Sequence, residues 1–173
     1  MGHIHTGTGE YDFTVGAYII RQTPNGYEAL LHLHKKLEKW LPFGGHIELN
    51  ESPWQAVLRE VEEEAGYSRS QLKVIQPHDS ISALTELDVL PQPLFLASYD
   101  YDDSHKHTDI AFAFLVETDP PGATLDDESQ DFSWFDVFAL KDLTSEKAFP
   151  NTVEVYDYVL RLPEKGWEIR PVV

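Results

Sequence analysis

The sequence predicts an α/β fold in which a mixed β sheet lies between helices. Three observations carry it. Two β-rich runs at 13–20 and 27–34 are separated by a tight-turn signal, a second pair at 93–101 and 108–117 flanks a polar stretch, and helical segments at 53–65, 136–143 and 151–162 are interspersed with them. With 173 residues, of which 42% are hydrophobic and 12% aromatic, the chain can bury a sizeable core, so residues 1–173 are expected to form a single domain. No repeat, low-complexity tract or long linker interrupts it.

Taken in order, "FTVGAYII" and "YEALLHLH" are joined through "TPNG", whose Asn25-Gly26 pair is a strong hairpin signal, so these two strands should pair. The helix at 53–65 comes next. Residues 68–92 carry a strand signal only near "LKVI" and otherwise suggest an irregular connection. "PLFLASYDY" and "TDIAFAFLVE" then flank the polar "DDSHKH" as a second hairpin, and "DFSWFDV" (131–137) predicts a further strand after the turn-rich "DPPGATLDDES". A short helix over 136–143 and a terminal amphipathic one over 151–162 complete the pattern.

Composition bounds the function. No apolar run reaches the roughly 20 residues needed to span a bilayer, and "MGHIHTGTGEYDF" lacks the order of a signal peptide, so a soluble, cytoplasmic protein is expected. The absence of cysteine rules out disulfides and thiolate zinc sites and suits a reducing compartment. Thirty acidic against 13 basic residues give a formal net charge of −17, which repels nucleic acid backbones and anionic membranes. Neither is expected as a partner, and a small anionic substrate would need cations at its site. The sequence leaves room for a homodimer.

The segment "GGHIELNESPWQAVLREVEEEAGY" carries the chemistry. Ser52 is a good N-cap, Pro53 suits the first helical position, Gln55 completes a capping box and Gly66 supplies a left-handed stop. At about 100° per residue, Trp54, Val57, Leu58, Val61 and Ala65 form one buried stripe, while Glu60, Glu63 and Glu64 share a neighbouring arc and Glu62 points elsewhere. Carboxylates at this spacing repel one another by a few tenths of a kcal/mol per pair, and a glutamate-rich helix is ordinarily a solvated face. Three features count against that here: the acids lie beside the core stripe, a Gly-Gly pair precedes the helix, and Arg59 stands one turn before Glu63. Clustered hard oxygens beside a bare backbone suit Mg²⁺ or Mn²⁺.

Read by spacing, the segment is Gly45, five residues, Glu51, seven residues, Arg59-Glu60-Val61, one residue, Glu63-Glu64, one residue, Gly66-Tyr67. It resembles the Nudix box of the MutT/Nudix hydrolases at every fixed position; Tyr67 departs from the usual aliphatic residue and is expected to affect packing only. The likeness extends to "KKLEKWLPFGGHIE", similar to the strand and loop before the box, and to "ESQDFSWFDVFAL", similar to a late acidic loop, Trp-Phe and short helix. The resemblance implies an α/β/α sandwich and hydrolysis of a nucleoside diphosphate linked to another group, with Mg²⁺ or Mn²⁺ as cofactor. It further implies that Glu60, Glu63 and Glu64, with the Gly45 carbonyl, carry the metals, that Arg59 orients a glutamate and that Glu51 adds a structural ion pair. For the general base the candidates are Glu63, Glu128 and Asp131.

Outside the box, Lys39 is one of few cations near the loop and a candidate phosphate contact. His107 and Asp109, at the start of a strand, are candidate substrate contacts, and Phe43, Tyr18, Tyr99 and Tyr101 could stack on a base, although aromatics on strands are ordinarily core. His3/His5, His32/His34 and His105/His107 have the spacing that puts two rings on one strand face, more often a partly exposed face than a metal site. No auxiliary motif for ADP-ribose, dinucleoside polyphosphates or coenzyme A is evident. The expectation is therefore MutT-like cleavage of a nucleoside or deoxynucleoside triphosphate to monophosphate and pyrophosphate, with an ADP-ribose or ADP-sugar pyrophosphatase next and a non-catalytic nucleotide sensor as the alternative of another class. The intact glutamate set argues against the sensor.

Overall fold

The computed structural model describes residues 7, 9–81, 83–101, 105–122 and 129–172. Its long first strand, β1 (Tyr11–Thr23), turns through Pro24-Asn25 into β2 (Gly26–His34), with Thr23 opposite Gly26. The two-residue loop is thus one position earlier than the Asn-Gly signal suggested, and Gly26, at φ +125°, opens β2 instead of completing the turn. Short strands β3 (Lys39–Leu41) and β4 (Phe43–His46) lead to helix α1 (Pro53–Ala65). After β5 (Lys73–Gln76) the chain runs without regular elements to β6 (Phe95–Asp100), which forms the expected hairpin with β7 (Lys106–Val116). The chain ends with β8 (Ser129–Phe135), α2 (Val137–Lys141), α3 (Pro150–Val159) and β9 (Glu168–Pro171).

The sheet order is β3-β2-β1-β7-β5-β9, with β4 added to β1, β6 to β7 and β8 to β2. β1 and β7 run parallel from Tyr11↔Lys106 to Arg21↔Val116, while the other pairs are antiparallel, so the sheet is mixed as expected. Alternation along β1 divides the core. Val15, Ala17 and Ile19 pack with Val57, Leu58 and Val61 of α1, whereas Tyr18 and Ile20 pack with Leu140 of α2 and with Tyr156 and Val159 of α3. Helices therefore cover both faces, and α1 and the α2/α3 pair are held on opposite sides of one strand.

Helix α1 has the ends its sequence specifies. The Ser52 side chain accepts from Gln55 N while the Gln55 side chain accepts from Ser52 N, and Gly66, at φ +79°, donates to Glu62 O. Gly66 is required twice over, because a Cβ there would stand 2.3 Å from Gly122 O. The adjoining Tyr67 is buried, and its hydroxyl donates to Thr118 O at 2.7 Å. Gly122 N also donates to Ala65 O, so the connection that leaves β7 is fastened to the C-terminal end of α1. Asp119 fastens it again, accepting from Arg21 Nη1 at 2.6 Å and from Trp134 Nε1 at 2.9 Å.

Tyr67→Phe removes one donor and leaves the Thr118 carbonyl without it. Urea unfolding should show a loss of about 1–3 kcal/mol at unchanged m-value; stability equal to wild type would mean that the hydroxyl is idle.

Candidate active site

The site begins where β4 meets α1. Gly44 and Gly45 pair with Gly16 and Val15 of β1, and a side chain is excluded at each, at Gly44 by β1 and at Gly45 by α1. A Cβ on Gly44, at φ +148°, would lie 2.0 Å from Val15 O, and one on Gly45 would lie 2.4 Å from Glu60 Oε1. Gly44 N donates to Glu64 Oε2 at 2.8 Å, away from β1, so Glu64 reaches the outer edge of β4. Glu60 and Glu64 are only 8% and 2% exposed. Burial of two carboxylates one turn apart is costly unless donors meet them, and the Gly44 N–H is one such donor.

The other is Arg59. Its Nη1 lies 2.8 Å from Glu60 Oε1 and 3.1 Å from Glu63 Oε2, its Nη2 lies 2.7 Å from Glu51 Oε1 and donates to His46 O at 3.0 Å, and its Nε donates to Glu51 Oε2 at 3.2 Å. The fork-to-carboxylate pairing with Glu51 is bidentate. It holds the guanidinium firmly in its charged form, an effect that outweighs the desolvation opposing it. Burial pushes the Glu51 carboxyl up, but the Arg59 hydrogen bond and the Glu48 N–H outweigh it and leave its pKa lowered. One guanidinium thus ties the loop before α1 to two acids of the helix face, with Glu63 half-buried and Glu62 exposed.

The donor set fits a hard divalent cation: carboxylates of Glu60, Glu63 and Glu64 gathered on one helix face beside a backbone stripped of Cβ atoms. As the side chains stand, no three His, Asp or Glu groups among the described residues form a ready metal-ligating cluster; Glu60 and Glu63 are turned to Arg59.

The remaining candidates separate. Lys39 does not face the acids: its Nζ donates to Ser145 O and Glu146 O, at 2.6 and 3.0 Å, and serves the turn before α3. Phe43, 1% exposed, stacks between His32 and Phe132 and is a core residue with no face open to a base. His107 is buried beneath Tyr101, with ring centroids 4.4 Å apart, its Nδ1 3.3 Å from Tyr99 Oη and its Nε2 3.1 Å from His105 Nε2. Asp109 lies on the same strand, on the face away from α1. His32 is buried on Phe43, and His34 Nδ1 accepts from Leu37 N. Asp131 accepts from the adjacent Phe132 N. Glu128, His3 and His5 lie outside the described residues.

Sequence reasoning passed over Asp12, Thr14 and His46. Asp12 Oδ2 lies 3.4 Å from His46 Nε2, and Thr14 Oγ1 donates to Asp109 Oδ1. The signal was available in "YDFTVGAYII", where polar Asp12 and Thr14 fall in phase with Gly16 and Tyr18, marking one face of the strand as partly polar.

The description "NUDIX domain" fits residues 11–158 as a family model. Comparison with curated protein sequences gave no match. Among solved structures, a hydrolase of the NUDIX family from Clostridium perfringens is 30% identical, with a TM-score of 0.73 over 88% of this chain and 97% of that one. A C. elegans Ap4A hydrolase in a binary complex (21% identity, TM-score 0.62, 89% and 96% covered) and a MutT protein from Methanosarcina mazei Go1 (21%, 0.59, 91% and 96%) share the fold. With the family matched across most of its length and the box geometry in place, the chain belongs to the NUDIX domain family and is a Nudix hydrolase.

Proposed function

We propose that the protein hydrolyses the diphosphate linkage of a nucleoside diphosphate derivative with Mg²⁺ or Mn²⁺, and that its preferred substrate is a nucleoside or deoxynucleoside triphosphate, cleaved to monophosphate and pyrophosphate in the cytoplasm. The observation that carries the reading is the pair of buried carboxylates, Glu60 and Glu64, pressed against the bare Gly44-Gly45 backbone. Buried acids one turn apart on a helix gain no stability from each other; they suit a cation that a substrate diphosphate shares. Among the described residues no helix is long and apolar enough to cross a membrane.

Glu60, Glu63 and Glu64 would hold the divalent cation, which supplies charge neutralisation on the diphosphate oxygens and a more acidic water. The expected Gly45 carbonyl is turned towards β1, because Gly45 pairs with Val15 while Gly44 N and His46 O face outward, so the backbone carbonyl at the acidic edge is that of Gly44. Arg59 keeps Glu60 and Glu63 on the shared face and sets their rotamers. Glu63 is also the first candidate to take a proton from the attacking water, and Arg59, 3.1 Å from its Oε2, would hold it in place for that role. Glu128, which lies outside the described residues, is the second candidate for that role.

Glu63→Gln and Glu64→Gln should each lower kcat by roughly 10²-fold or more while leaving the far-UV CD unchanged; near wild-type turnover in either variant would remove that residue from the site. Product identity separates the substrates. Triphosphates should release pyrophosphate, and turnover of ADP-ribose to AMP and ribose phosphate far above every triphosphate would instead make the protein an ADP-sugar pyrophosphatase.

Cation binding should also register as stability. Mg²⁺ at about ten times its Kd stabilises the native state by ~1.4 kcal/mol, a rise in Tm of roughly 3–6 °C for a domain of this size, measured against NaCl at matched ionic strength. The double variant Glu63→Gln, Glu64→Gln should lose most of that rise. An equal shift in both proteins would assign the effect to the general acidic surface.

A further inference from the structure

Asp109 sits on β7 on the sheet face turned away from α1, opposite Ala97 of β6 and Thr14 of β1. Its Oδ1 takes the Thr14 hydroxyl at 3.1 Å, and its Oδ2 lies above Gly16, where an added Cβ would be 3.4 Å away. Among the described residues no Lys, Arg or His is paired with it. Burial raises its pKa, and the single Thr14 hydrogen bond offsets this only in part. A half-buried carboxylate met by one hydroxyl is only partly compensated for the water it has lost, and such a group suits a ligand as well as packing.

The surroundings fit a planar partner. Small residues, Gly16 and Ala97, flank Asp109, and the aromatic rings of Tyr18 and Tyr99 stand near it, close enough for its charge to add to the burial that raises both phenols, Tyr99 to about 12. Tyr99 is 49% exposed, with its hydroxyl at His107 Nδ1. Gly16 pairs with Gly44, whose N–H holds Glu64. Asp109 therefore stands two strand spacings, about 10 Å, from β4, with its carboxylate on the sheet face opposite the acids of α1.

We propose that Asp109 is a specificity-determining residue: it accepts a hydrogen bond from the exocyclic amino group of the substrate's base, favouring adenine, cytosine or guanine nucleotides over those of hypoxanthine or uracil. The inference rests on the reading that the substrate is a nucleotide. An ionised carboxylate is an acceptor only, so an amino group satisfies it whereas a carbonyl oxygen in the same place leaves it unpaired and repelled.

Equilibrium binding of AMP, CMP, GMP, IMP and UMP to wild type, Asp109→Asn and Thr14→Val in Mg²⁺ buffer tests it. An amino-bearing nucleotide should bind wild type about tenfold or more tightly than its IMP or UMP counterpart. Asp109→Asn, which offers both an N–H and an oxygen, should bring that ratio to about one or reverse it, and Thr14→Val should weaken the preferred nucleotide severalfold. Equal affinities in wild type, binding of none of the five, or a preference that survives in Asp109→Asn overturns the proposal. Should Asp109→Asn fail to fold by CD, unchanged affinities in Thr14→Val overturn it equally. Turnover keeps the two readings apart: Asp109-dependent discrimination without hydrolysis of any nucleoside diphosphate derivative would sink the proposed reaction alone, and hydrolysis with base-indifferent binding would sink this inference alone.

Discussion

The close approach of the Gly44-Gly45 backbone to Glu60 and Glu64 is the constraint around which the rest of the molecule is arranged. Two carboxylates at i and i+4 on one helix repel, and burial strengthens the repulsion by lowering the local dielectric. They are tolerated because a backbone N–H meets one and a guanidinium meets the other. Neither contact would survive a Cβ on β4, since one on Gly44 would run into Val15 O and one on Gly45 into the Glu60 carboxylate itself. Arg59 extends the same logic to the loop before α1, because its bidentate pair with Glu51 and its bond to His46 O fix the path by which the chain enters the helix.

β1 transmits this arrangement across the sheet. Its N-terminal half pairs with β4 on one side and with β7 on the other, so Gly44 at the acidic edge and Asp109 on the far face are both registered against the same few residues, Thr14 to Gly16. Further along, β1 leaves β4 and pairs with β2, which in turn carries β8. The exchange of partners leaves the outer edge of β4 to Glu64. An acidic edge is thus created inside an otherwise continuous sheet, with a core cluster on either side of it.

At the other end of α1, Gly66, Tyr67 and Ala65 bind the connection that follows β7, and Asp119 binds the same connection to β1 and β8 through Arg21 and Trp134. Tyr67, the one departure from the usual box pattern, has a structural reason here. A hydroxyl reaching the Thr118 carbonyl satisfies an acceptor that an aliphatic side chain would leave to other partners.

What the sequence by itself determined were the features whose causes are local. The limits of α1 follow from Ser52, Pro53, Gln55 and Gly66, all within hydrogen-bonding reach of the helix they bound, and the arc of Glu60, Glu63 and Glu64 follows from helical geometry alone. Both hairpins were legible from alternation and turn residues. Tertiary structure alone decided which strands lie beside β1, because the parallel pair with β7 joins residues some 95 positions apart, and no local pattern encodes such a partner. It also decided the short strands β3, β4 and β9, too brief to establish a period of two, and it sent Lys39 to the turn before α3 and Phe43 into the core. Asp109 shows the division most clearly. Its identity was readable, but its character as a half-buried acid over Gly16 and facing Thr14 arises only when β7 is laid against β1, since burial and hydrogen-bond partners are properties of the packed chain.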